Sequence, residues 1–179
     1  MAMSLGNEDE PSAVDARQIL RELVEEAGVA LFEHYGVDLA ANTGNGKDLE
    51  RVAVIGFSSD VIRGALGLAI STPVLEASFE GVGNINDWVG ELANQMLGRL
   101  KNLLLRYDVT LYLATPMVLR GLKLELATSG RQELIAINFQ SDQGDLCVWL
   151  DVQTEPGLEL TPSAEEEDLG MEEGALLFF

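Results

Sequence analysis

The chain has 179 residues, about one domain's worth, and its thirty Asp and Glu against eleven Lys and Arg give a formal net charge of −19, which argues against unaided binding to a nucleic-acid backbone. A hydrophobic fraction of 47% is that of a globular protein able to bury a core rather than of a disordered chain. One cysteine, Cys147, excludes an internal disulfide framework and fits a reducing compartment, so a cytoplasmic protein is expected.

Met1 to Pro11 is acidic and has no basic segment followed by an apolar run, so no signal peptide is expected. No stretch approaches the ~20 apolar residues that cross a bilayer, and no membrane insertion is expected. The folded body is read as residues 13–152.

Taken in chain order, Leu20, Leu23, Val24, Ala27, Leu31 and Phe32 recur at steps of three and four, with Arg21, Glu22, Glu25 and Glu26 on the other side. This predicts a first helix over Asp15 to Phe32, closed by Gly36. A polar loop, Ala41 to Asp48, precedes two β-type runs, Val52 to Phe57 and Gly64 to Ile70. Pro73 is placed to open a short helix through Phe79. A long helix is predicted over Asn86 to Arg106. Beyond it, Val109 to Tyr112 reads as a strand broken near Thr115-Pro116, and strands follow at Leu122–Ala127, Leu134–Phe139 and Leu146–Val152. Asp142-Gln143-Gly144 has the composition of a hairpin turn between the last two. This order predicts an α+β fold, mainly an antiparallel β-sheet with two long helices on one face, in a single domain.

From Gln153 to Phe179 there are eight acids and no Lys or Arg, which reads as a solvated acidic tail. It ends in the apolar tip Ala175-Leu176-Leu177-Phe178-Phe179. Two readings of that tip stay open: packing back on its own domain, or docking to another protein.

Several motifs carry no chemistry. Gly44-Asn45-Gly46-Lys47-Asp48 is too short for a phosphate loop and has Asp48 where a hydroxyl is needed. Gly81-Val82-Gly83 lacks the third glycine of a dinucleotide fingerprint. His34 has no second His or Cys nearby for a zinc site. Cys147, in an apolar strand, reads as packing rather than as a nucleophile.

The long helix is the informative segment. Advancing about 100° per residue from Leu92 places Ile85, Trp88, Val89, Met96 and Leu103 on one side, with Leu100 just beyond. Opposite fall Asp87, Glu91, Asn94, Gly98 and Lys101, with Gly90 at the margin. Asp87, Glu91 and Asn94 are separated by steps of four and three, so their polar heads are neighbours. Each interior glycine costs about 1 kcal/mol relative to alanine. Gly90 and Gly98 therefore imply that something approaches the helix backbone closely, either another molecule or a part of the same one.

Asp87-x-x-x-Glu91-x-x-Asn94, with Pro116 following the Asn by 22 residues, resembles the signature of the CheC/CheX/FliY chemotaxis phosphatases. Glu91-Leu92-Ala93-Asn94-x-x-x-Gly98 with Lys101, and the strand Thr115-Pro116-Met117-Val118-Leu119-x-Gly121, are similar to the local pattern of the CheX branch. The resemblance covers about Ala13 to Val152. Relatives with two sites carry one on each long helix; the first helix here contains no asparagine, which points to the single-site, CheX-like branch.

The resemblance implies a phosphatase acting on the aspartyl phosphate of a CheY-like response regulator, in chemotaxis or in another two-component pathway. Asn94 and Glu91 are the implied catalytic pair: Asn94 places the attacking water and Glu91 pairs with a lysine of the regulator. Asp87, Gly90, Gly98 and Pro116 are implied as support, Pro116 shaping the strand that braces the helix. No cofactor of its own is implied; Mg²⁺ is expected on the partner regulator. A homodimer formed through sheet edges is also implied. The alternative is a non-catalytic, FliM-like module that binds through the same face or through the acidic tail.

Overall fold

The computed structural model describes residues 15–43, 49–81, 83–121 and 134–163. Among the described residues eleven elements follow in order: α1 Ala16–His34, β1 Ala40–Asn42, β2 Leu49–Ser58, β3 Ile62–Ser71, α2 Thr72–Ser78, α3 Ile85–Leu104, a 3-10 turn Leu105–Tyr107, β4 Tyr112–Leu113, β5 Met117–Arg120, β6 Ile135–Gln140 and β7 Asp145–Thr154. All strand pairings are antiparallel, within one sheet of order β1-β6-β7-β3-β2, and β4 and β5 both lie on the outer side of β2. This is the expected α+β architecture, with the two long helices on one face and a short α2 added.

Alternation explains the layering. Ala53, Ile55 and Phe57 of β2, Leu66, Leu68 and Ile70 of β3, Ile135, Ile137 and Phe139 of β6, and Leu146, Val148 and Leu150 of β7 join one core with the apolar stripes of α1 and α3. On the sheet's other face, Val52, Ala69 and Trp149 form a shallow second cluster with Val54, Leu134, Ala136 and Cys147.

α1 is capped by Asp15, whose carboxylate accepts from Arg17 N at 3.2 Å. It ends at His34, and Gly36, at φ +72°, lets the chain turn away. α3 packs on α1 and lies over β2, β3 and β5.

The expected strand over Val109 to Tyr112 is shorter than its alternation suggests. Val109 and Leu111 are buried, but only Tyr112–Leu113 pair, against Ser58 and Phe57. Pro116 has no N–H to donate, and the ladder resumes at Met117 opposite Val54. Between the Leu113–Phe57 and Met117–Val54 pairs the outer strand holds one residue more than β2, which is a bulge.

Part of the expected polar loop is strand: Ala40 to Asn42 pair with Gln140 to Asn138. The expected strand Leu122–Ala127, the glycine-rich Gly44–Asp48 and the apolar tip lie outside the described residues. The packed unit extends past Val152: Leu160 is buried, Glu159 bridges to Asp15, and Ser163 N donates to Arg106 O at 2.8 Å. No helix among the described residues is long and apolar enough to cross a membrane.

Candidate functional site

α3 is anchored before it presents anything. Asn84 caps it, its side-chain oxygen accepting from Asn86 N at 2.9 Å. Arg51 of β2 donates to Thr72 Oγ1 at 2.6 Å and to Asn86 Oδ1 at 3.4 Å, and Thr72 Oγ1 donates to Glu50 Oε2 at 2.9 Å. This network ties the start of α3 to the end of the β2–β3 hairpin. Below it, Val89, Leu92, Ala93, Met96, Leu97, Leu100 and Leu104 are buried, so the helix cannot roll without exposing its apolar stripe.

On the opposite side Asp87, Glu91 and Asn94 are all exposed, with Gly98 and Lys101 half-buried further along. Asn94 is therefore open to solvent rather than walled off by the sheet. Asp87 stands in the first turn, where a carboxylate suits the positive end of the helix dipole.

The two glycines part company. A β-carbon on Gly98 would meet nothing within 4 Å, so the helix backbone there is bare on its outer side. Gly90 is buried: a β-carbon there would lie 3.0 Å from Val118 Cγ2 and 3.8 Å from Pro116 Cγ. Its small size admits β5 of the same chain, which corrects the placing of Gly90 at the edge of the exposed face. Pro116 and Val118 lie against α3 one turn before Asn94.

Helical spacing alone did not single out the surroundings of Glu91. Gln95 Nε2 donates to Glu91 Oε1 at 3.1 Å, and Tyr35, just after α1, donates through its hydroxyl to Gln95 Oε1 at 2.8 Å. The Glu91–Gln95 step of four was legible as a possible pair; Tyr35 was not, because only the packing of α1 on α3 brings it there.

Cys147 is half-buried, and desolvation pushes its thiol up to about 11 from 9.0, away from the thiolate form that a nucleophile needs. Among the described residues no group of three or more His, Cys, Asp or Glu is set to hold a metal ion.

The fold is that of known structures. It superimposes on the chemotaxis protein CheX from Vibrio vulnificus with a TM-score of 0.67 at 17% identity, covering 78% of this chain and 100% of that one. A CheC-like superfamily protein from Shewanella sp. PV-4 gives 0.66 at 19% identity, over 78% and 99%. The CheX-CheY-BeF3-Mg²⁺ complex from Borrelia burgdorferi gives 0.59 at 11% identity, over 74% and 96%. No curated protein matches by sequence. The sequence model of one family, described as "Chemotaxis phosphatase CheX", matches residues 51–140, half of the chain, a span that contains Glu91, Asn94 and Pro116. The chain belongs to the CheX family of chemotaxis phosphatases.

Proposed function

We propose that this protein accelerates hydrolysis of the aspartyl phosphate on a CheY-like response regulator by presenting Asn94 and Glu91 to the regulator's phosphorylated pocket. The observation that carries the reading is the placement of these two side chains, exposed and one helical turn apart on a helix whose other side is locked into the core. A CheX–CheY complex exists among the structural relatives, with BeF3 and Mg²⁺ bound.

The chemistry asks little more of the protein. In an acyl phosphate the carboxylate is a good leaving group, and phosphoryl transfer depends mainly on placement and on charge stabilisation. A water attacks phosphorus, the bond from phosphorus to the aspartyl oxygen breaks, and inorganic phosphate leaves a free carboxylate. An asparagine amide suits the placement, because its carbonyl accepts from the water while its NH₂ donates to a phosphoryl oxygen. Glu91 is the proposed partner of a regulator lysine, holding the helix in register. Mg²⁺ belongs to the regulator in this reading, where it would offset charge on the phosphoryl group. Asp87 and Gly98 lie on the same face, one to favour the helix start and the other to let the regulator approach.

Purified protein mixed with phosphorylated receiver domains tests the reading. Accelerated loss of phosphate by the wild type and none by Asn94→Ala is expected. A FliM-like binder would hold the regulator and leave the decay unchanged.

A homodimer through a sheet edge belongs to the same proposal. Of the two edges, the one formed by β4 and β5 exposes Tyr112, Leu113, Met117 and Leu119. The setting proposed for this activity is the cytoplasm.

A further inference from the structure

We infer that Gln95, backed by Tyr35, is a positioning residue that presets Glu91 for its contact with the regulator, an inference that rests on the proposed role of Glu91. Two hydrogen bonds share Gln95: Tyr35 Oη, just past α1, donates to Gln95 Oε1 on α3 at 2.8 Å, and Gln95 Nε2 donates along α3 to Glu91 Oε1 at 3.1 Å, a line that starts at Tyr35 and ends at Glu91.

The direction of this line follows from its far end. An ionised carboxylate only accepts, so the NH₂ of Gln95 must face Glu91. That turns the amide oxygen towards Tyr35, whose hydroxyl must then donate. No other assignment of the amide satisfies both neighbours.

The near end is fixed. Tyr35 follows the last residue of α1, and its N–H is bonded to Phe32 O at 3.0 Å. Its ring stands edge-on to His34 and to Trp88, with centroids 5.0 and 5.3 Å away. Trp88 is held in turn: its indole N–H donates to Ser78 Oγ at 3.2 Å, and Phe79 packs edge-on against it. The exposed glutamate is thereby connected to a rigid aromatic group from a different helix.

An untethered surface glutamate loses rotamer freedom when a partner takes hold of it. One already held by a neighbour loses less, and preorganisation of this kind appears as affinity rather than as maximal rate. Gln95 engages Oε1, and Oε2 is the atom left for the regulator's cation.

Tyr35→Phe removes only the hydroxyl and keeps the ring against Trp88; Gln95→Met removes the amide and keeps the length. Each is expected to weaken binding of beryllofluoride- and Mg²⁺-loaded CheY by about three- to tenfold, the size of one modest hydrogen bond. KM for phosphorylated CheY should rise with kcat unchanged, and the thermal midpoint should fall by no more than a few degrees. In a Glu91→Ala background neither substitution should weaken binding further, because the group they position is gone. Losses of the same size in that background, or no loss in the wild type, would overturn the inference. A Glu91→Ala protein that binds as tightly as wild type is a separate failure: it removes the role of Glu91 itself, and the inference with it.

Discussion

Val118 closes one flank of α3 at Gly90, where a β-carbon would lie 3.0 Å from Val118 Cγ2, and this contact sets how β5 braces the helix one turn before Asn94. The bulge around Pro116 brings the strand to that position: the outer strand gains a residue over β2, and Pro116 and Val118 meet the glycine.

Enlarging Gly90 should therefore separate strand from helix. Gly90→Leu needs space that Val118 occupies, and a loss of about 1–3 kcal/mol is expected from urea unfolding, as for other overpacked interiors. An unchanged midpoint would show that β5 does not brace α3.

Gly98 should behave in the opposite way. Nothing stands within 4 Å of its missing β-carbon, so Gly98→Ala should raise stability by about 1 kcal/mol through helix propensity. If the regulator docks on that bare backbone, the same substitution weakens its binding. A calorimetric titration of beryllofluoride-loaded CheY beside a thermal melt reads both effects at once.

Glu91→Ala should mainly reduce affinity, and Glu91→Lys should reduce it further by setting like charges against each other. The wild-type complex should weaken as salt rises, with a shallower slope for Glu91→Ala, because an exposed ion pair is screened. Equal salt slopes would remove the proposed pairing with a regulator lysine.

Cys147 offers a check on the packing of the sheet's second face. Its thiol, pushed up to about 11, should react with iodoacetamide at pH 8 at least about tenfold more slowly than a free cysteine. The folded state holds this proton more tightly than the unfolded chain, whose thiol has the ordinary value of 9.0. The contribution to stability is thus full below pH 9 and declines as pH rises towards 11. Fast labelling of the folded protein would contradict the packing described for β7.

Much of this was legible in the sequence because it follows from period alone. Ile135, Ile137 and Phe139 alternate into the core, and rotation by about 100° per residue put Asp87, Glu91 and Asn94 on one exposed face. What depended on a second segment was not legible. Gly90 sat at the margin of the helical wheel, and only β5 decides that it is buried. Ala40 to Asn42 carry no strand pattern and are exposed; they pair because β6 presents an edge to them. Val109 and Leu111 alternate as a strand would, yet their burial comes without a ladder partner. Leu160 lies in an acidic stretch and is buried beyond the apparent end of the domain. Tyr35 reaches Gln95 across 60 residues, a contact no local pattern encodes.

The most direct test is the rate of phosphate loss from a phosphorylated CheY-like receiver domain in the presence of wild-type and Asn94→Ala protein. Asn94 is exposed and supports no part of the core, so the variant should fold as the wild type does. The account predicts that it binds the beryllofluoride-loaded regulator about as well but leaves the phosphate to decay at the regulator's own rate. Full acceleration by Asn94→Ala would contradict it.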